Sequence, residues 1–220
     1  MADMQSILIV GASRGLGKGL AERYARTGWS VLATVRKAGG VELDGAEVAT
    51  VDIDQPEMVK ALHETTAGRL FDVIFIVAGV ATTWGPIHET DPEDALQVYR
   101  TNAVSPVLFA EAFLDRLADG GQMVFMTSRM GSIGENEQGG VDAYRASKAA
   151  LNMLAKGFSL RHKGLTVTLM HPGWVKTDLG GAGAAIDVET SVNGMVQVVD
   201  SRHGAGDLAF IDYTGRAIPW

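Results

Sequence analysis

The 220-residue sequence predicts an α/β fold: one domain over residues 1–220, a mostly parallel seven-stranded sheet, and helices on both faces. Three observations predict it. Short, nearly all-apolar runs recur along the chain, as strands covered on both faces require. Segments of helical periodicity separate them, so strand and helix alternate. A glycine-rich turn stands directly between the first such strand and the first helix.

Composition bounds the function. Hydrophobic residues make up 46% and charged residues 20%, ordinary values for a globular chain that buries a sizeable core. A net charge of −7 argues against a nucleic-acid surface, which needs a basic stripe. There is no Cys, so neither a disulfide framework nor a thiolate metal site is expected, and no metal is assigned. The N-terminus MADMQSILIV lacks a basic n-region, and no apolar stretch reaches the length of a membrane span. A cytoplasmic protein with no membrane partner is the expectation.

Residues 6–10 (SILIV) form the first strand, and Gly11-Ala-Ser-Arg-Gly15-Leu-Gly17 follows at once. Leu16, Leu20, Ala21 and Tyr24 then recur at helical spacing. Glycines let a backbone approach a ligand closely, and a helix N-terminus favours an anion, so a pyrophosphate is implied. The spacing G-x-x-x-G-x-G is not the common G-x-G-x-x-G, and a tight strand–helix turn without a ligand is the plain alternative.

Residues 29–34 (WSVLAT) form a second strand. A fold that holds NAD carries an acid near this strand's end, to bind the ribose hydroxyls. Here Arg36 and Lys37 stand instead, and Arg14 adds a third cation. Cations suit a ribose 2′-phosphate, so NADP is favoured over NAD, with solvated loop residues as the plain alternative for Arg36 and Lys37. Residues 47–51 make a weaker third strand leading to Asp52-Ile53-Asp54, and Pro56 opens a helix to about residue 66. Residues 71–77 (FDVIFIV) are the fourth strand, ending at Ala78-Gly79.

A loop over 82–91 carries Trp84, Pro86 and His88. A helical region then runs from Asp91-Pro92 through Asn102 to Leu117. Residues 122–127 are a fifth strand, followed by Ser128. Residues 165–170 are a sixth, followed by His171-Pro172-Gly173. A helix near 188–200 and a strand near 207–211 complete the chain. In a doubly wound sheet, ligands lie beyond the carboxyl ends of the strands. Gly11, Asp52, Gly79, Ser128 and Pro172 should all fall on that edge.

In the segment 141–156 (VDAYRASKAALNMLAK), Tyr144 and Lys148 stand four residues apart, on one helix face. A nearby ammonium favours a phenolate and lowers the tyrosine pKa from its free value of about 10. A tyrosine so tuned can exchange a proton with a carbonyl oxygen near neutral pH. Such pairs also occur by chance, so this one gains meaning only from its neighbours.

The neighbours match a family. Residues 11–17, Asp52, Ala78-Gly79, Asn102, Ser128, Tyr144-Arg-Ala-Ser-Lys148, Pro172-Gly173 and Thr177 make the chain resemble the short-chain dehydrogenase/reductase family over nearly its whole length. Ser128-Arg-Met-Gly-Ser-Ile, the double glycine before Tyr144 and the ending Asp212-Tyr-Thr-Gly-Arg-Ala-Ile-Pro-Trp220 are similar to its C-factor-like and sniffer-type carbonyl reductase subgroup. The resemblance implies a Rossmann-fold domain and an NADPH-dependent reduction of small ketones or aldehydes, reversible toward secondary alcohols. An NADP-binding signalling protein with little turnover is the alternative.

It also implies roles. Tyr144 would be the general acid, Lys148 would lower its pKa and hold the nicotinamide ribose, and Ser128 would hydrogen-bond the substrate carbonyl. Ser132 competes for that last role. Asn102 would hold a relay water. Gly11, Ser13, Arg14, Gly15, Leu16 and Gly17 would cradle the phosphates, with Arg36 beside them. Asp52 and Ile53 would meet the adenine. Ala78, Gly79, Pro172, Gly173, Val175 and Thr177 would complete the cofactor site.

Two departures are visible. Ile76-Val77 replaces the usual Asn-Asn, so a polar link between strand ends should be lost. The substrate loop, about 174–187, is short and rich in glycine, which implies an open pocket flanked by Trp84 and Trp174. His88 and His171 read as ordinary loop and strand-end residues. The helices carrying Asn102 and Tyr144 hold more apolar residues than one buried face needs, among them Leu108 and Met153, so a homodimer or homotetramer is expected.

Overall fold

The computed structural model describes residues 4–39, 41–81 and 84–220. Residues 1–3 of the N-terminus, residue 40, and residues 82 and 83 of the loop expected over 82–91 lie outside them. Among the described residues one seven-stranded sheet forms, in the order β3-β2-β1-β4-β5-β6-β7. The strands are β1 (Ser6–Val10), β2 (Ser30–Val35), β3 (Ala46–Thr50), β4 (Phe71–Ile76), β5 (Leu117–Met126), β6 (Thr166–His171) and β7 (Leu208–Asp212). Every pairing is parallel, so the sheet is wholly rather than mostly parallel. The order reverses between β1 and β4, where a doubly wound sheet opens its crevice.

Alternate side chains serve two cores. Leu8 and Val10 of β1 face α2 (Pro56–Thr65), α4 (Ser105–Ala112) and α5 (Asp142–Arg161), packing with Leu62, Phe109, Leu151 and Phe158. Ile7 and Ile9 face the other way, onto α1 (Gly15–Arg26) and α6 (Val188–Ser201), with Leu20, Tyr24, Met195 and Val199. This explains why the central strands read as continuous apolar runs.

Two elements differ from expectation. The strand expected at 122–127 begins at Leu117, because Leu117 pairs with Phe71 before a register break hands the ladder to Gln122 and Val73. The extra residues are Leu117-Ala-Asp-Gly-Gly121, and the aspartate and two glycines interrupt any apolar run that would mark them. The single helical region expected from 91 to 117 is divided into α3 (Pro92–Tyr99), a π-helical turn Arg100–Val104, α4 and a short 3₁₀ turn Leu114–Arg116. Pro106 gives the physical reason. It has no amide to offer the carbonyl four residues back, which is that of Asn102. The ladder widens there, and the Ser105 amide bonds Arg100 instead.

None of the described helices is long and apolar enough to cross a membrane. The C-terminal residues fold back on the sheet edge, where the Ile218 amide bonds the Phe210 carbonyl and the Gly134 amide bonds that of Trp220.

The turn after β1 is one of the tightest approaches among the described residues. A Cβ on Gly17 would stand 2.0 Å from the Gly11 carbonyl oxygen, and one on Gly11 2.8 Å from the Ala78 amide. Overpacking of this kind costs about 1–3 kcal/mol. Gly17→Ala is therefore expected to lower the urea midpoint by that much, with the slope unchanged.

Candidate active site

The carboxyl edge of the sheet holds a cavity of about 720 Å³. Gly11, Ser13, Arg14, Gly15, Leu16, Gly17 and Arg36 line one end, with Asp52 and Ile53. Ala78, Gly79, Tyr144, Lys148, Pro172 and Thr177 line the rest. Four residues expected in the site lie behind this lining: Asn102, Ser128, Gly173 and Val175. Gly173 adopts φ +87 and packs its bare Cα against Ile186 and Tyr213, so it shapes the loop from behind. Val175 is buried and bridges Ile186.

The glycine turn fits an anion. α1 begins at Gly15, the Arg14 side chain does not cap it, and no acid occupies its first turn. By contrast, α3 and α6 are capped by Asp91 and Asp187. Open amides at a helix start suit a phosphate. At the other end, a Cβ on Gly79 would lie 3.3 Å from the Asn102 side chain and 3.5 Å from the Lys148 ammonium, so a side chain here would crowd both.

Asn102 joins three elements. Its side-chain oxygen accepts from the Val80 amide at 2.8 Å, and its Nδ2 donates to the Val80 carbonyl at 2.8 Å and to Ser147 Oγ at 3.0 Å. Ser147 in turn donates to the Tyr144 carbonyl at 2.7 Å. The loop after β4, the π turn and α5 are thus fixed together. At Ile76-Val77 the strand ends are joined through the backbone, with the Val77 and Ala78 amides both donating to the Val10 carbonyl at 2.9 Å.

Ser128 and Ser132 are told apart by their partners. The Ser128 side chain stands near the Tyr144 hydroxyl and draws its pKa down by hydrogen bonding. It also accepts from the Met130 amide at 3.1 Å. Ser132 is fully buried and accepts from the Glu135 amide, a turn-closing bond. Lys148 Nζ lies 5.8 Å from the centre of the Tyr144 ring and donates to the Met126 carbonyl at 2.9 Å.

The short chain dehydrogenase family model matches residues 5–185. The chain belongs to the short-chain dehydrogenase family. It is 40% identical to the C-signal protein of Myxococcus xanthus over 153 residues, 68% of this chain and 92% of that one. A Burkholderia multivorans protein solved with bound NADP superposes with a TM-score of 0.95 at 37% identity, covering 99% of this chain and 100% of its own. The carbonyl reductase Sniffer of Drosophila melanogaster superposes at 0.82 with 29% identity, over 99% and 100%.

Sequence reasoning about this dehydrogenase passed over two acids. Asp54 accepts from Thr101 at 2.5 Å, Ser105 at 2.6 Å and Gln97 at 2.9 Å, so it straps the π turn to the loop after β3. The only signal was its place in Asp52-Ile53-Asp54. Asp178 pairs with Arg14 at 3.0 Å, a contact between distant loops that no local pattern announces.

One expectation is corrected. Lys148 does not draw the Tyr144 pKa down here. Burial pushes the phenol up to about 12, and the opposing influence is the Ser128 hydrogen bond. Burial also pulls the Lys148 ammonium down to about 8. Desolvation outweighs the attraction because Lys148 leans on the ring and a backbone carbonyl rather than on the phenolic oxygen.

The Lys148 shift has a consequence for stability. Its pKa is 10.5 when free and about 8 when folded, so between those values the unfolded chain binds more protons and stability rises with pH. Below about 8 the full penalty applies, on the order of 3 kcal/mol. Tyr144 has the opposite sign above pH 10.0, its free value. Lys148→Met is expected to be more stable than the natural protein at pH 7, with the gap closing toward pH 10. Urea unfolding of both proteins at several pH values measures this.

Proposed function

We propose that this dehydrogenase is an NADPH-dependent reductase of small ketones and aldehydes that also oxidises secondary alcohols. The grouping of Tyr144 with Ser128 and Lys148 carries the reading, because it puts two hydroxyls and an ammonium together beside the cavity. Bound NADPH supplies the hydride. The protein's own task is to orient the carbonyl and deliver a proton.

In this reading Ser128 and Tyr144 hydrogen-bond the substrate oxygen, and charge developing there is met by both donors. Tyr144 gives its proton, and Lys148 holds the ribose hydroxyls and feeds the proton back. The Asn102 side chain is fully engaged by Val80 and Ser147. The relay water therefore belongs on its backbone carbonyl, which Pro106 leaves without the usual helical donor. Asp52 and Ile53 meet the adenine, Thr177 the carboxamide, and Arg14 and Arg36 the 2′-phosphate that favours NADP over NAD. The setting is read as the cytoplasm.

The Myxococcus relative favours one second reading, a signalling protein that binds NADP and turns over little. A panel of carbonyl compounds with NADPH, followed at the nicotinamide absorbance, separates the two. Tyr144→Phe is expected to cut reduction by about 10²–10⁴-fold, as loss of a general acid does. NADPH affinity should hardly change, because the ring still packs. A fall of less than tenfold would remove Tyr144 from the role.

Self-association is part of the proposal. Most apolar residues of α4 and α5 serve the core, including Val107, Phe109, Leu151 and Phe158. Leu108 and Met153 do not, at 61% and 72% exposed. Leu96, Tyr99 and Leu160 are exposed as well. A second copy meeting this face by two-fold symmetry would cover them, giving a homodimer or a homotetramer. Sedimentation at micromolar concentration should show a species above the 23.3 kDa monomer. Leu108→Glu with Met153→Glu should return it to monomer without loss of helicity, since both side chains already face solvent.

A further inference from the structure

Arg14 has two competing anions. It is the residue before α1, and its guanidinium reaches away from the helix to Asp178, with Nη1 3.0 Å from Oδ2. Both side chains line the rim of the cavity. Asp178 belongs to the loop after β6, whose base is closed by the Lys176 amide on the Ile186 carbonyl and the Ile186 amide on that of Trp174. Within the loop, the Gly180 amide donates to Thr177 Oγ1, the Gly181 amide to the Thr177 carbonyl, and Trp174 Nε1 to the Gly180 carbonyl. Thr177 packs near Gly15 of the glycine turn. The Arg14–Asp178 pair is the ion pair that ties this loop to that turn among the described residues.

The pair is 77% and 74% exposed. Exposed pairs are weak and easily displaced. A phosphate dianion offers the same guanidinium a stronger, two-pronged partner, and its charge repels a carboxylate left beside it. A dinucleotide without the 2′-phosphate offers Arg14 nothing in exchange.

We propose that Asp178 is a cofactor-specificity residue: it holds Arg14 against the substrate loop, and only a 2′-phosphate displaces it and frees the loop. The proposal rests on the reading of Arg14 as a 2′-phosphate contact. Asp178 lowers the affinity for the phosphorylated cofactor by competition, and it makes the position of residues 176–181 depend on which cofactor is bound. Thr177, expected at the nicotinamide end, moves with that loop.

The test uses adenosine 2′,5′-bisphosphate and adenosine 5′-diphosphate, which share the adenosine and lack the nicotinamide. Binding is measured by calorimetry, and amide hydrogen exchange is followed at Gly180 and Gly181. In the natural protein, the bisphosphate should speed exchange there several-fold and the diphosphate should not. Asp178→Asn should exchange fast without ligand. It should bind the bisphosphate three- to tenfold tighter and the diphosphate as before. If Asp178→Asn gains no affinity for the bisphosphate, or if the bisphosphate leaves exchange unchanged in the natural protein, the proposal is overturned. Arg14→Gln tests the underlying reading separately: it should lose the preference for the bisphosphate. If it keeps that preference, Arg14 is not the phosphate contact and the proposal falls with it. If it loses the preference while Asp178→Asn changes nothing, Arg14 stands and Asp178 alone is refuted.

Discussion

A parallel sheet covered on both faces has one place for polar chemistry, the edge where its strands end. Every other feature of this chain follows from that constraint. The central strands spend their side chains on two apolar cores, so the groups that react must come from the first residues beyond each strand and from α5 passing over them. Those groups are themselves buried and must find partners. Asn102 is 0% exposed and solves the problem for three elements at once. Each of its side-chain bonds replaces water, and a partner left unmet in such a setting costs about 1–3 kcal/mol.

Lys148 is the least comfortable member of this edge. An ammonium 3% exposed, with a neutral carbonyl as its hydrogen-bond acceptor, destabilises the fold. A methionine of similar length would fill the space without that penalty. A chain keeps such a residue when the charge has work to do there, and perturbed titratable groups lining a cavity mark functional sites for this reason. The neighbouring Tyr144, shifted the opposite way by the same burial, strengthens the point. The same desolvation raises the phenol to about 12 and lowers the ammonium to about 8, in each case favouring the neutral form.

The sequence made the frame legible because burial on two faces writes itself as unbroken apolar runs, as at Ser6–Val10. The glycine turn was legible too, since a close backbone approach excludes side chains. Interactions that depend on distance through space were not. The helix break before Pro106 could have been read from the proline alone, but the apolar pattern on either side concealed it. Asp54 and Asp178 look like solvated loop acids in one dimension, and their partners lie 47 and 164 positions away as counted along the chain between Asp54 and Thr101 and between Arg14 and Asp178. The pKa of Tyr144 was misread because residue spacing shows which groups are near each other and hides how much water has left.

Net charge is a poor guide to this site. A chain of net charge −7 should repel a dinucleotide, and three acids line the cavity: Asp52, Asp54 and Asp178. Their hydrogen bonds change the balance. Asp54 is saturated by Thr101, Ser105 and Gln97, and Asp52 accepts from the Asp54 amide. A carboxylate that already accepts several donors presents a weaker field outward than a bare one, because the donors' dipoles oppose it. Asp178 spends its charge on Arg14. What remains facing the cavity is Arg36, Lys148 and Lys176, none in an ion pair among the described residues, and the open amides of α1. The local sign of the field is therefore set by which acids are already satisfied, and the excess of acids over bases in the composition bears little on whether an anion can bind there.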